Sequence, residues 1–127
     1  MKISKLQGLA AGAALASMTL AGSALAKDYV LNTASTGGTY HPVGTAISTL
    51  TKIKLLPKQK FSLTAVNSAG SGANIQAMGA NTAQFAIVQG LFGSYAATGT
   101  GPVSKPQKNV RSVTMLWQNV EIGRAHV

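Results

Sequence analysis

The chain has 127 residues with a formal net charge of +9, no cysteine and only two acidic residues. That length gives one small core, and the missing thiols exclude disulfide staples and Cys-based metal or nucleophile chemistry. The scarcity of carboxylates leaves little material for general acid–base catalysis.

Lys2 and Lys5 precede an apolar, small-residue run over residues 8–20, and Ala24 and Ala26 fit a small-x-small cleavage pattern. Residues 1–26 are expected to be a cleaved signal peptide, with Lys27 as the mature N-terminus, because the run is short and too diluted by Gly, Ser and Thr for a span. The expected location is periplasmic or otherwise extracytoplasmic.

Residues 29–33 (YVLNT) read as a strand ending in a Ser/Thr/Gly loop. Beyond it, Val43, Ala46, Ile47 and Leu50 recur at helical spacing with Pro42 in the first turn, and Leu55-Leu56-Pro57 closes the helix. Residues 61–66 (FSLTAV) alternate as a second strand, and a loop from Asn67 to Gly72 feeds a short helix carrying Ala73, Ile75, Ala77 and Met78. Residues 85–88 (FAIV) form a third strand, Gln89-Gly90 turns into a helix over 91–97, and 98–109 is a Gly/Pro/Lys loop. Residues 113–116 (VTML) are expected to close the sheet as a fourth strand. Repeated strand–loop–helix units predict an α/β fold with a mostly parallel sheet, its strand-to-helix loops on one edge.

Those loops hold the candidate site. The first, Ala34 to Pro42, carries adjacent glycines, which permit positive φ and close backbone approach, with Ser35, Thr36, Thr39 and the Tyr40 phenol beside them. The second is Asn67-Ser68-Ala69-Gly70-Ser71-Gly72 with Asn74 in the following turn, and the third is Gln89-Gly90. Backbone donors, hydroxyls and helix starts at equivalent places suit a small anionic ligand. Catalysis is not expected. Gly38-Thr39-Tyr40 lacks the lysine of a phosphate loop, Gly70-Ser71-Gly72 is too tight for a nucleophile elbow, and His41 reads as a helix-start hydrogen-bonder. No metal set and no cofactor are expected. The lysines cluster at 52–60 and 105–111 without interleaved aromatics except Phe61, which argues against nucleic acid.

Thr36-Gly37-Gly38-Thr39-Tyr40-His41-Pro42-Val43-Gly44-Thr45-Ala46-Ile47 resembles the opening motif of the TAXI family of solute-binding proteins, which serve TRAP transporters. Ser68-Ala69-Gly70-Ser71-Gly72-Ala73-Asn74-Ile75, Phe85-Ala86-Ile87-Val88-Gln89 and Gly99-Thr100-Gly101-Pro102 are similar to later motifs in the same order. His41 stands where the family usually has a second tyrosine, Ala69 where it has a glycine, and Gln84 and Leu91 where it often has acidic residues.

The resemblance implies ligand-binding roles for Thr36, Gly37, Gly38, Tyr40, Ser68, Ser71, Asn74 and Gln89. It also implies a two-lobed, periplasmic-binding-protein-like protein of about three hundred residues, two domains of usual size. Residues 27–120 would be part of its first lobe, capturing a small carboxylate or acidic amino acid for the membrane subunits of the transporter. Residues 121–127 (EIGRAHV) resemble the in-frame translation of a DNA-sequencing adapter, so the natural chain is expected to run on differently there. Two other readings stay open: a ligand sensor of the same fold for a signalling receptor, and a small exported basic protein that binds anionic surfaces.

Overall fold

The computed structural model describes residues 25–118. The leader reading, apart from Leu25 and Ala26, and the adapter-like tail lie outside the described residues. Strand β1 (Lys27–Asn32) leads into helix α1 (Tyr40–Lys54) and a single helical turn, α2 (Leu56–Gln59). Strand β2 (Phe61–Val66), helix α3 (Ser71–Gly79), the two-residue strand β3 (Phe85–Ala86) and helix α4 (Gly90–Thr98) follow.

The strands form one parallel sheet in the order β2-β1-β3. From β1 the chain steps one place to β2, then back across β1 to β3. Right-handed crossovers in opposite directions put α1 and α3 on opposite faces. Consecutive residues after β3 record this: Ile87 joins the core with Leu31 and Leu63, whereas Val88 packs on the core of Ile75, Ala96 and Val103. The first core also takes Val43 and Ile47 from α1 and the rings of Tyr29, Phe61 and Phe85, which meet at centroid distances of 5.2–6.1 Å.

The α1 stripe is tight because one position lacks a side chain. A Cβ at Gly44 would sit 2.3 Å from Thr33 Cγ2, so glycine is what lets the helix approach the end of β1. Further along, the Thr51 hydroxyl accepts from Leu63 N at 3.0 Å and donates to Ser48 O at 2.8 Å. The helix thereby satisfies a backbone donor of β2 that faces away from β1. Thr45 and Thr49 return their hydroxyls to carbonyls four residues back, each at 2.9 Å, which accommodates them within the helix.

The second half is held differently. β3 pairs with β1 only at Leu31↔Phe85 and Asn32↔Ala86. Gln84 extends the pairing by accepting Val30 N on its Oε1 at 3.1 Å. A strap over residues 99–110 then crosses α3 and α4, with Gln107 N on Ala96 O at 2.7 Å and Asn109 Nδ2 on Met78 O at 3.1 Å. The strap turns at Gly99 and Gly101, whose φ values of +72° and +58° suit glycine.

The expected fourth strand is absent among the described residues. Val113 and Met115 are 81% and 76% exposed, and no ladder forms at 113–116. Arg111 instead folds its guanidinium onto the carbonyls of Lys108 and Val110. Apolar composition suggests a strand, but a strand also needs a neighbouring edge. None of the three described strands takes this segment as a partner.

Candidate functional site

The carboxyl ends of β1, β2 and β3 open into the three loops singled out in the sequence, and each loop feeds a helix. α1 and α3 start with Thr39 and Gly70 as their N-caps, and α4 with Gln89. In none of the three does the N-cap side chain accept a first-turn N–H. Helix α1 packs into the first core and α4 into the second. The loops after the neighbouring strands β1 and β3 therefore turn to opposite faces, the arrangement that opens a crevice in α/β sheets.

Below that edge lies a polar network centred on Thr33, which is fully buried. Thr33 O accepts from Asn74 Nδ2 at 2.8 Å and from Ser68 Oγ at 3.0 Å. The Thr33 hydroxyl donates to Val66 O at 2.9 Å, and its single proton is then spent. A 3.1 Å contact with His41 Nδ1 joins the imidazole to the same hydroxyl, with the donor set by the imidazole tautomer. His41 is thus a hydrogen-bonder at the start of α1, as its place in the sequence predicted.

Asn74 is fully buried and spans two strands, its second Nδ2 hydrogen bond reaching Ile87 O at 2.8 Å. The β1–β3 ladder ends just above, at Ile87 N on Asn32 O, and Asn74 continues the linkage. Its Oδ1 is buried without a partner. Ser68 Oγ accepts Gly70 N at 3.1 Å, and Ser71 Oγ accepts Gln89 N at 3.0 Å. Ser68, Ser71 and Asn74 therefore use polar atoms to knit the loops together.

The remaining candidates lie higher. Thr36 and Gly37 are exposed, and Gly38 closes a turn with its N–H on Ser35 O at 3.0 Å. Neither Gly37 nor Gly38 has a positive φ; the glycine that needs one is Gly70, at φ +98° and ψ −161°, a region closed to side chains. Tyr40 is half-buried against the first core. Its ring meets Trp117 edge-on at 5.6 Å, so the residue just after the segment expected to be a strand delivers an aromatic wall to the first loop. The sequence reading did not single out Trp117; nothing in its own segment signals a partner 77 positions away.

The loop residues at this edge carry no charged side chain. An anion here would meet backbone N–H groups, hydroxyls and helix dipoles only. Two concavities border these loops. One of about 130 Å³ lies between α3 and the strap, lined by Gly72, Ile75, Gln76 and Val103 among others. The other is a shallow apolar hollow along the outer face of α1. Asp28 stands at the opposite edge, where hydroxyls of Thr64 and Ser62 donate to its two oxygens at 2.7 and 2.8 Å. Those bonds, Thr64 first, hold its carboxyl below the usual range, and Lys52 adds a smaller share. Among the described residues no group of His, Cys, Asp and Glu could hold a metal ion, and no helix is long and apolar enough to cross a membrane.

A parallel α/β lobe with its helix starts and hydroxyls gathered at one sheet edge is the architecture of a periplasmic-binding-protein-like domain. The chain matches the NMT1-like family over residues 31–125 and belongs to that family. This is a family of extracytoplasmic binding proteins for small molecules, generally without enzymatic activity. No curated protein matches the chain.

Proposed function

We propose that this chain is the first-lobe portion of a TAXI-type solute-binding subunit of a TRAP transporter. It captures a small carboxylate or acidic amino acid outside the cytoplasm and passes it to the membrane subunits. The observation that carries the reading is the convergence of three uncapped helix starts on one edge, fastened to each other through Thr33, Ser68, Ser71 and Asn74. A carboxylate fits such an edge because N–H dipoles stabilise negative charge without a counter-cation.

Thr36, Gly37, Gly38 and Gln89 are assigned to the ligand-facing surface, with Tyr40 as its aromatic wall. Ser68, Ser71 and Asn74 act there by fixing the loops that present the donors. A site shared between two lobes gives each lobe one wall, which accounts for an edge rather than an enclosed cavity. Closure of a second lobe over the solute would couple binding to a hinge.

Calorimetry of the full-length protein with L-glutamate and succinate tests the proposal. Saturable binding that weakens at least tenfold, about 1.4 kcal/mol, in both Tyr40→Ala and Gln89→Ala supports the site. Unchanged affinity in both variants would refute it.

A further inference from the structure

The edge opposite the three loops has its own character. Helix α1 runs back from the loop edge and ends in Lys52 and Lys54, α2 contributes Lys58, and Lys60 follows it. Lys27 opens β1, with its N–H on Lys60 O at 2.7 Å. Five lysines, all exposed, therefore gather at the amino-terminal edge of the sheet. The single described carboxylate nearby, Asp28, interacts with Lys52 and offsets one of these five charges. Leu50 and Ile53, 58% and 61% exposed, stand on α1 beside Lys52 and Lys54.

We infer that this lysine pole is a docking surface for the anionic phospholipid headgroups of a bilayer. Lysines gathered at one pole act together on an extended negative surface, where each contributes within about one Debye length of it. Aliphatic side chains interleaved with lysines at a helix end are the composition of interfacial membrane contacts. A bilayer also meets the whole pole at once, which a compact small anion could not. Docking in this pose turns the three-loop edge toward the aqueous side. It holds the protein at the membrane whether or not that edge binds a carboxylate, so the inference stands apart from the proposed function.

The test is co-sedimentation of the full chain with phosphatidylglycerol/phosphatidylcholine vesicles and with phosphatidylcholine alone. Two triple variants remove equal charge: Lys52→Gln/Lys54→Gln/Lys58→Gln at the pole, and Lys105→Gln/Lys108→Gln/Arg111→Gln on the strap and the residue after it. Residues 1–26 are common to all three proteins and cancel in the ratios. At about 1 kcal/mol per contacting lysine, the pole variant should lose on the order of a hundredfold in partitioning to anionic vesicles, and the strap variant less than about fivefold. Circular dichroism checks that each variant is folded, and binding by the unmodified chain should fall steeply with added salt. Equal losses in the two variants would reduce the effect to net charge and overturn the inference. So would an unmodified chain that sediments no better with anionic than with neutral vesicles, as expected if the lysines serve an acidic protein instead.

Discussion

The two halves of the lobe solve the same problem with different materials. The β1–α1–β2 half is joined by a six-residue parallel ladder and an aliphatic–aromatic core. In the α3–β3–α4 half the ladder shrinks to two residue pairs, and side chains replace it: Gln84 on Val30, Asn74 on Thr33 and Ile87, Ser71 on Gln89, Asn109 on Met78. A backbone ladder tolerates most side chains, whereas an amide clamp depends on one residue. Stability of the second half should therefore concentrate in a few polar positions, of which Asn74 and Ser71 lie beneath the candidate site.

The sharpest way to break that contrast is Asn74→Asp. It would place a carboxylate against two backbone carbonyls in a fully buried position. Loss of the donors together with burial of an unpaired charge should cost more than ~3 kcal/mol by denaturant unfolding. A cost similar to that of an exposed substitution would show that the clamp does not hold the halves together.

Gly44→Ala probes the first half, where packing dominates. The added methyl meets Thr33 Cγ2, and the overpacking should cost ~1–3 kcal/mol. Thr33→Ser removes that methyl but keeps the hydroxyl, so the double variant should recover most of the loss. Absence of recovery in thermal unfolding would place the strain elsewhere. Gly70→Ala should cost ~1–2 kcal/mol through its backbone conformation, although open space surrounds the position.

The smallest effect belongs to Asp28. Its carboxyl is held below the ordinary range by hydroxyls of Thr64 and Ser62. Its stabilising contribution is therefore present at and above the ordinary carboxylate range and fades as pH falls through the lowered value. Asp28→Asn should flatten that acid arm slightly in pH-dependent unfolding and leave neutral-pH carboxylate binding unchanged.

The same division explains what was readable in advance. Alternation in FSLTAV and the Val43/Ile47 stripe are local patterns, and β2 and α1 follow them. The α/β class and the parallel sheet followed from the order of such segments. In the second half α3, β3 and α4 also follow their local patterns, but the side-chain bonds that join them link residues far apart in sequence, as Gln84 does with Val30. Motif resemblance singled out Asn74 without indicating that it sits under the loops with its donors spent. The VTML segment has strand composition, but composition cannot say whether an edge is free to receive it. Trp117 was invisible for the same reason: only the fold brings it to Tyr40.

The central claim is that the carboxyl-terminal sheet edge binds a small carboxylate. Amide chemical-shift mapping by two-dimensional NMR, with L-glutamate and succinate titrated into the protein, tests it residue by residue. The account predicts saturable shifts grouped at Gly37, Gly38, Ser71, Gly72 and Gly90, with Lys54 and Lys58 unmoved. Shifts confined to the lysine pole or the strap, or none at the three loops with either ligand, would contradict it.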